Sequence, residues 1–193
     1  MKLSEKLILV DCDGVLLDWE YSFDFWMKEH GYTKHYSGDY ELEKCYDIDR
    51  AEMKALIRQF NESAWMRSLP PLRDSVKYVR KLHDELGYVF HCITSLSKDE
   101  YAQQLRVENL ETVFGKGIFE KVICLDTGAD KDEALAEYKD TGCIWIEDKI
   151  QNALVGLEAG LDSVLIEHPH NKDFEHENIL KIKNWKELYE SLV

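Results

Sequence analysis

Carboxylates follow directly on apolar runs in this chain, and they carry the first hint of chemistry. Leu7, Ile8, Leu9 and Val10 form a short apolar run; Asp11 and Asp13 come straight after it, and Gly14 permits a sharp turn. Two carboxylates crowded at the end of a buried strand repel one another, and a bivalent cation, a proton or a bound reactant would relieve them. Further along, Thr94 and Ser95, Lys131, and the pair Glu147 and Asp148 stand at or just beyond other apolar runs. Singly, each has an ordinary explanation as a capping turn, a solvated lysine or turn-forming acids. Together they suit phosphoryl transfer. An Asp carboxylate can attack phosphorus to form an aspartyl-phosphate. Hard oxygen ligands can hold magnesium against the carboxylate and the phosphate. A hydroxyl and an ammonium can bind the remaining phosphate oxygens, and a second carboxylate can protonate the leaving alkoxide and then activate water.

Two other readings of the first acidic stretch fail on spacing. A calcium loop counted from Asp11 needs Gly at its sixth position and Glu at its twelfth, where Leu16 and Ser22 stand. A phosphate-gripping cysteine loop at Cys12 needs an Arg shortly after it, and none comes before Arg50. Cys12 therefore reads as a small strand residue pointing into the core.

The elements that must position these groups follow from periodicity. Apolar runs predict strands ending near Asp11, Ile93, Leu125, Ile146 and Ile166, with helical stretches between them: one capped by Asp74 or Ser75, Lys98 to Phe114, Lys131 to Tyr138, Ile150 to Ala159, and a closing helix from Trp185 to Leu192. This alternation predicts an α/β fold, a Rossmann-like doubly wound parallel sheet with helices on both faces. In such a sheet all strand ends share one edge, so residues distant in sequence can meet there. The first strand is not followed by a simple crossover. From Asp18 to Ser68 the chain is aromatic and helical, with Trp19, Tyr21, Phe23, Phe25 and Trp26 clustered, a Tyr-rich polar connection, and Met53, Leu56, Ile57 and Phe60 at helix spacing. The expected organisation is a core of residues 1–17 and 69–193 with a small helical cap, 18–68, inserted after the first strand; Pro70 and Pro71 mark the return.

Those residues and their order resemble the four motifs of the haloacid dehalogenase-like phosphohydrolase superfamily: DCDGV at Asp11, the strand end at Thr94, Lys131, and the Glu147–Asp148 pair. The resemblance spans nearly the whole chain. It implies Asp11 as nucleophile, Asp13 as general acid/base, and Thr94, Ser95 and Lys131 as phosphate contacts. It also implies magnesium held by Asp11, Asp13 through its carbonyl, and Asp148, with Glu147 supporting the metal shell. An Asp at position 13 favours phosphate esters over haloacids, since dehalogenation has no leaving alkoxide to protonate. Within the superfamily the chain is most similar to the 5′(3′)-deoxyribonucleotidases, through DCDGVLLDW, WMRSLPPLRDSV and TSLSK followed by RVENLETVFG. That resemblance implies Trp19 as a base-stacking residue, Trp65 and Met66 as pocket lining, and Lys98 as a further phosphate contact. Aromatics in a small cap are more often its core.

The expected substrate is thus a small phosphate monoester, with a deoxynucleoside monophosphate favoured and sugar phosphates as the alternative. A catalytically idle binding protein on the same fold is disfavoured, because buried unpaired acids suit a passive role poorly. A response-regulator receiver would place its acceptor Asp after the third strand and lacks an insert. Lys and Arg number 24 against 38 Asp and Glu among 193 residues, a net charge of −14, which argues against a nucleic-acid polymer as partner. No apolar run approaches membrane-spanning length, and the N-terminal segment is not that of a secretory signal. The five cysteines form no C-x-x-C pair and read as reduced thiols, so a cytoplasmic location is expected. The loop His168-Pro169-His170-Asn171 has no role in this scheme and reads as a polar surface turn.

Overall fold

The computed structural model describes residues 6–193. Its strands are β1 (Leu7–Val10), β2 (Val89–Ser95), β3 (Phe119–Leu125), β4 (Ile144–Glu147), β5 (Asp162–Ile166) and β6 (Leu180–Ile182). They form one sheet in the order β3-β2-β1-β4-β5-β6, and every neighbouring pair is parallel. β1 lies centrally, between β2 and β4, and is buried along its whole length, as its unbroken LILV run requires. The order reverses at β1: the chain first builds outward through β2 and β3, then returns to place β4 on the other side. A crevice opens at such a reversal, beyond the carboxyl ends of the strands, and Asp11 stands directly at its edge.

Between β1 and β2 come α1 (Trp19–Glu29), α2 (Leu42–Tyr46), α3 (Arg50–Asn61) and a 3-10 turn, Ala64–Arg67. Asp18 caps α1 by accepting from the Tyr21 N–H, and Asp49 caps α3 by accepting from Ala51 and Glu52. Phe23, Trp26, Tyr46 and Phe60 are buried together, with Phe23 and Phe60 edge-on at 5.4 Å. The insert leaves and returns through a narrow neck of paired backbone. The Asp18 N–H donates to the Pro70 carbonyl at 2.8 Å, the Leu72 N–H donates to the Leu16 carbonyl at 2.9 Å, and Leu17 forms an antiparallel bridge with Pro71.

The core helices are α4 (Ser75–Asp84), α5 (Glu100–Phe114), α6 (Asp132–Ala136), α7 (Ile150–Glu158) and α8 (Trp185–Leu192). α7 packs so closely on the sheet that a Cβ on Gly156 would lie 2.3 Å from Trp145 Cδ1 and 2.7 Å from Ser163 Oγ. Several local expectations need correcting. β6 was not expected, because three residues, LKI, are too few to show a period. Asp74 does precede α4, but its carboxylate makes no bond there and instead accepts from the Trp185 and Lys186 N–H groups at the start of α8. α5 begins at Glu100, not Lys98, because the Asp99 side chain accepts from the Ala102 N–H and so sets the start. Its buried face carries Ala102, Leu105, Arg106, Asn109, Leu110 and Phe114, and Tyr101 is exposed.

Candidate active site

The central parallel strands bring the separated acids together. β1 ends at Val10, paired with Ile146 of β4, and the Asp11 N–H donates to the Ile146 carbonyl at 2.9 Å. Asp11 thus lies beside Glu147 and Asp148. One oxygen from each of these three carboxylates lies within 4.8 Å of the other two. Lys131 reaches the cluster from the start of α6. Its Nζ lies 2.7 Å from Asp11 Oδ1 and 2.7 Å from Glu147 Oε1, and the side chain is buried.

The three acids are not equivalent. Glu147 Oε1 accepts from Lys131 and from Asn152 Nδ2, while Oε2 accepts from the Asp148 and Lys149 N–H groups. Burial alone would raise its pKa, but Lys131 and these donors hold Glu147 below the usual carboxylate range. Its oxygens are filled, so it braces Lys131 and the Asp148 backbone. Asp11 Oδ1 accepts from its own neighbour, the Cys12 N–H, at 2.7 Å as well as facing Lys131. Burial, with smaller pushes from Glu147 and Asp13, raises Asp11 to about 7 against the pull of Lys131. Asp148 is raised well above its usual value by burial, then by Glu147 and Asp11. It sits against Gly14, which has φ +78°; a Cβ there would lie 2.7 Å from Asp148 Oδ2. Asp11 and Asp148 are thus the two acids whose ionisation the cluster opposes and a bound cation would relieve, and their oxygens are the hard donors a magnesium ion takes.

Asp13 points elsewhere. Its carboxylate accepts two hydrogen bonds from Arg106 of α5, NH1 to Oδ1 at 2.6 Å and NH2 to Oδ2 at 3.0 Å. Arg106 is fully buried, and its NH1 also lies 2.7 Å from Cys12 Sγ. Thr94, at the end of β2, is fully buried, and its hydroxyl has no hydrogen-bond partner among the described residues. Such an orphan hydroxyl costs about 1–3 kcal/mol.

The comparisons with known proteins agree with this arrangement at the level of fold. No protein-family model matches the sequence. A curated relative from Enterobacteria phage T4, an uncharacterized 32.4 kDa protein in the Gp30-rIII intergenic region, is 26% identical over 140 residues, covering 69% of this chain and 49% of its own length. The chain thus spans about half the length of the curated relative it matches. Among solved structures, a haloacid dehalogenase-like hydrolase from Streptococcus pneumoniae superposes with a TM-score of 0.64 at 16% identity, covering 97% of this chain and 98% of its own. CbbY from Rhodobacter sphaeroides, in complex with phosphate, gives 0.60 at 17% identity over 95% and 96%. The HAD-hydrolase YfnB from Bacillus subtilis, bound to magnesium, gives 0.61 at 15% over 97% and 98%. The fold is that of the haloacid dehalogenase-like hydrolases.

Within that fold the remaining expected site residues divide. Ser95 lies at the end of β2, but its hydroxyl donates to the Ala129 carbonyl at 2.8 Å, so it braces the loop leading to Lys131. Lys98 is exposed in the turn before α5. Trp19 stacks on Phe23 at 4.6 Å, meets Phe60 edge-on, and donates its indole N–H to Asn61 Oδ1 at 2.9 Å. Asn61 Nδ2 in turn donates to the Leu96 carbonyl at 3.0 Å, linking the insert to the chain just beyond Thr94 and Ser95. Trp65 stays 36% exposed beside Phe25. Met66 is buried, with Sδ 3.4 Å from Arg106 NH2.

Sequence reasoning missed several residues here. The expectation of a polar surface turn at His168–Asn171 is wrong: the loop after β5 buttresses the acids. His168 Nε2 lies 2.7 Å from the Gly14 carbonyl, and Asn171 Nδ2 donates to the Asp148 and Ile166 carbonyls at 2.7 and 2.8 Å. His170 Nε2 lies 3.1 Å from the Asp148 carbonyl. Tyr40, from the Tyr-rich connection of the insert, meets His170 edge-on at 5.4 Å and has Lys149 Nζ 5.5 Å from its ring centre. Its ring is largely exposed, yet partial burial together with Asp148, Glu147 and Asp11 raises its phenol. The only signal available in sequence was the clustering of His, Asn and Tyr near no other function.

Proposed function

We propose that this protein is a magnesium-dependent phosphomonoester hydrolase acting through an aspartyl-phosphate on Asp11. The observation that carries this reading is Asp11 itself, with Oδ1 pinned by Lys131 and the Cys12 N–H while Asp148 and the orphan Thr94 hydroxyl stand at the same sheet edge. Asp11 and Asp148, with the Asp13 carbonyl, would hold magnesium, which supplies charge neutralisation for the carboxylate and the phosphate.

The chain's own residues account for the rest. Asp11 Oδ2 attacks phosphorus as the bond to the ester oxygen breaks, and Asp13 delivers a proton to that oxygen. Water then attacks the phosphorus of the acyl phosphate. Asp13 takes its proton, and inorganic phosphate and the Asp11 carboxylate are released. Lys131 holds Asp11 in line and offsets charge on the phosphate oxygens, and the Thr94 hydroxyl finds in one of them the acceptor it lacks. The second carboxylate at position 13 supports ester hydrolysis over dehalogenation.

A deoxynucleoside monophosphate is the proposed substrate, supported by the resemblance of the first motif and of the return from the insert. Trp65 with Phe25, and Tyr40 beside His170, are exposed aromatics of the insert that a base could meet, whereas Trp19 is engaged within the insert. Purified protein with magnesium should release phosphate from an aryl phosphate, and Asp11→Asn should abolish turnover with an unchanged circular dichroism spectrum. Activity retained in Asp11→Asn would remove it as nucleophile. A panel of deoxynucleoside monophosphates and sugar phosphates decides specificity; better turnover of sugar phosphates would overturn the nucleotidase assignment.

A further inference from the structure

The two acids of the first motif, two residues apart, each meet their own buried cation. Lys131 faces Asp11 and Glu147; Arg106 faces Asp13. A fully buried guanidinium is rare unless paired. This one is aimed by its surroundings: both terminal nitrogens fork onto the Asp13 carboxylate, NH1 also meets Cys12 Sγ, and NH2 also meets Met66 Sδ. Asp13 keeps 22% of its side chain accessible, so the carboxylate is gripped from the α5 side and open on the other. A planar fork fixes both oxygens in position and plane, where a single point charge would leave the carboxyl free to rotate.

We infer that Arg106 is the positioning residue for Asp13: it sets where the Asp13 carboxyl stands when the leaving oxygen is protonated and when water is activated. Met66 belongs to the last turn of the insert, and Arg67 of the same turn pairs with Glu108 of α5 at 2.5 Å. The guanidinium therefore touches the insert and Asp13 at once, and the seating of the insert on α5 bears on Asp13 through it. This inference rests on the proposed hydrolase reading, and it assigns Arg106 no contact with the phosphate.

The test uses two esters that differ in their need for a proton. 4-Nitrophenyl phosphate has a good leaving group; glycerol 3-phosphate has a poor one. Arg106→Met should lower kcat at least about tenfold on glycerol 3-phosphate, a fraction of what general acid catalysis supplies. It should lower kcat far less on 4-nitrophenyl phosphate and leave KM within about twofold on both. Arg106→Lys should restore part of the loss. In an Asp13→Asn background, Arg106→Met should have no further effect on either ester. An equal loss on both esters, or a full loss added on top of Asp13→Asn, would overturn the inference and leave Arg106 a purely structural residue. Wild-type turnover on both esters by Arg106→Met and Arg106→Lys would overturn it as well. If Arg106→Met does not fold by circular dichroism, Arg106→Lys is judged on the same leaving-group contrast. Wild-type protein inactive on both esters, with magnesium, would instead overturn the hydrolase reading, and this inference with it.

Discussion

Thr94 is the residue whose placement is hardest to explain without a ligand. Its hydroxyl is buried with no partner among the described residues, so valine, of the same shape, should relieve an unmet hydrogen bond. Thr94→Val is expected to raise stability by about 1 kcal/mol, read as a higher Tm, while weakening turnover of a phosphate ester. A variant less stable than wild type and equally active would show that the hydroxyl has a structural partner instead. Asp11, Asp13, Lys131, Glu147 and Asp148 stood out in sequence only as a set, because each alone has an ordinary explanation but all fall near strand ends that share one sheet edge. Arg106 was not. It sits beside Leu105 in a helix whose apolar positions already explain its packing, and a lone helical arginine is ordinarily a surface residue. Only the fold shows that Asp13 lies opposite it. His168 and Asn171 were hidden for a similar reason, since their partners are backbone carbonyls of Gly14 and Asp148, which carry no side-chain signature.

Among the elements, the central strands and the helices that follow them could be read from periodicity, and the parallel pairing follows from the alternation, whereas the order β3-β2-β1-β4-β5-β6 does not. What periodicity does not carry is how close two elements approach. α7 lies on β4 and β5 at a separation that only glycine at position 156 permits. Gly156→Ala should push Trp145 or the whole helix outward and cost about 1–3 kcal/mol, since overpacking a filled core forces side chains off their preferred rotamers. Thermal unfolding with and without magnesium measures it; an unchanged Tm would mean that the contact relaxes freely. Trp145 lies 5.2 Å below Lys131 Nζ, measured to the ring centre, so the same substitution also tests whether the floor beneath the lysine is rigid. The use of Asp74 at the start of α8 was equally invisible, because Asp74 has the right residue type for its own helix and uses it for another.

For the molecule as a whole, charge is the dominant property outside the site. A net charge of −14 would oppose the approach of the proposed dianionic ester, although Lys131 and a bound cation would reverse the field locally. Raising ionic strength from about 0.01 M to about 0.15 M shortens the screening length several-fold, and kcat/KM for a phosphate ester should rise with it. A fall would mean that positive groups beside the site, Lys149 among them, dominate encounter. The insert is fastened to the core by contacts that no pattern in the sequence announces: Asn61 on the Leu96 carbonyl, Arg67 on Glu108, and Gly38 close against Pro169.

The neck where Asp18 meets Pro70 and Leu16 meets Leu72 has a consequence for how such a chain can diversify. Its two ends are held together by backbone pairing that is indifferent to what lies beyond it, and lengthening a loop whose ends are already fixed costs little more entropy. Residues between them can be added, lost or exchanged while Asp11 keeps its place beside Ile146. Under the proposed reading, the reaction and the choice of substrate would be separable inheritances, joined through a few hydrogen bonds.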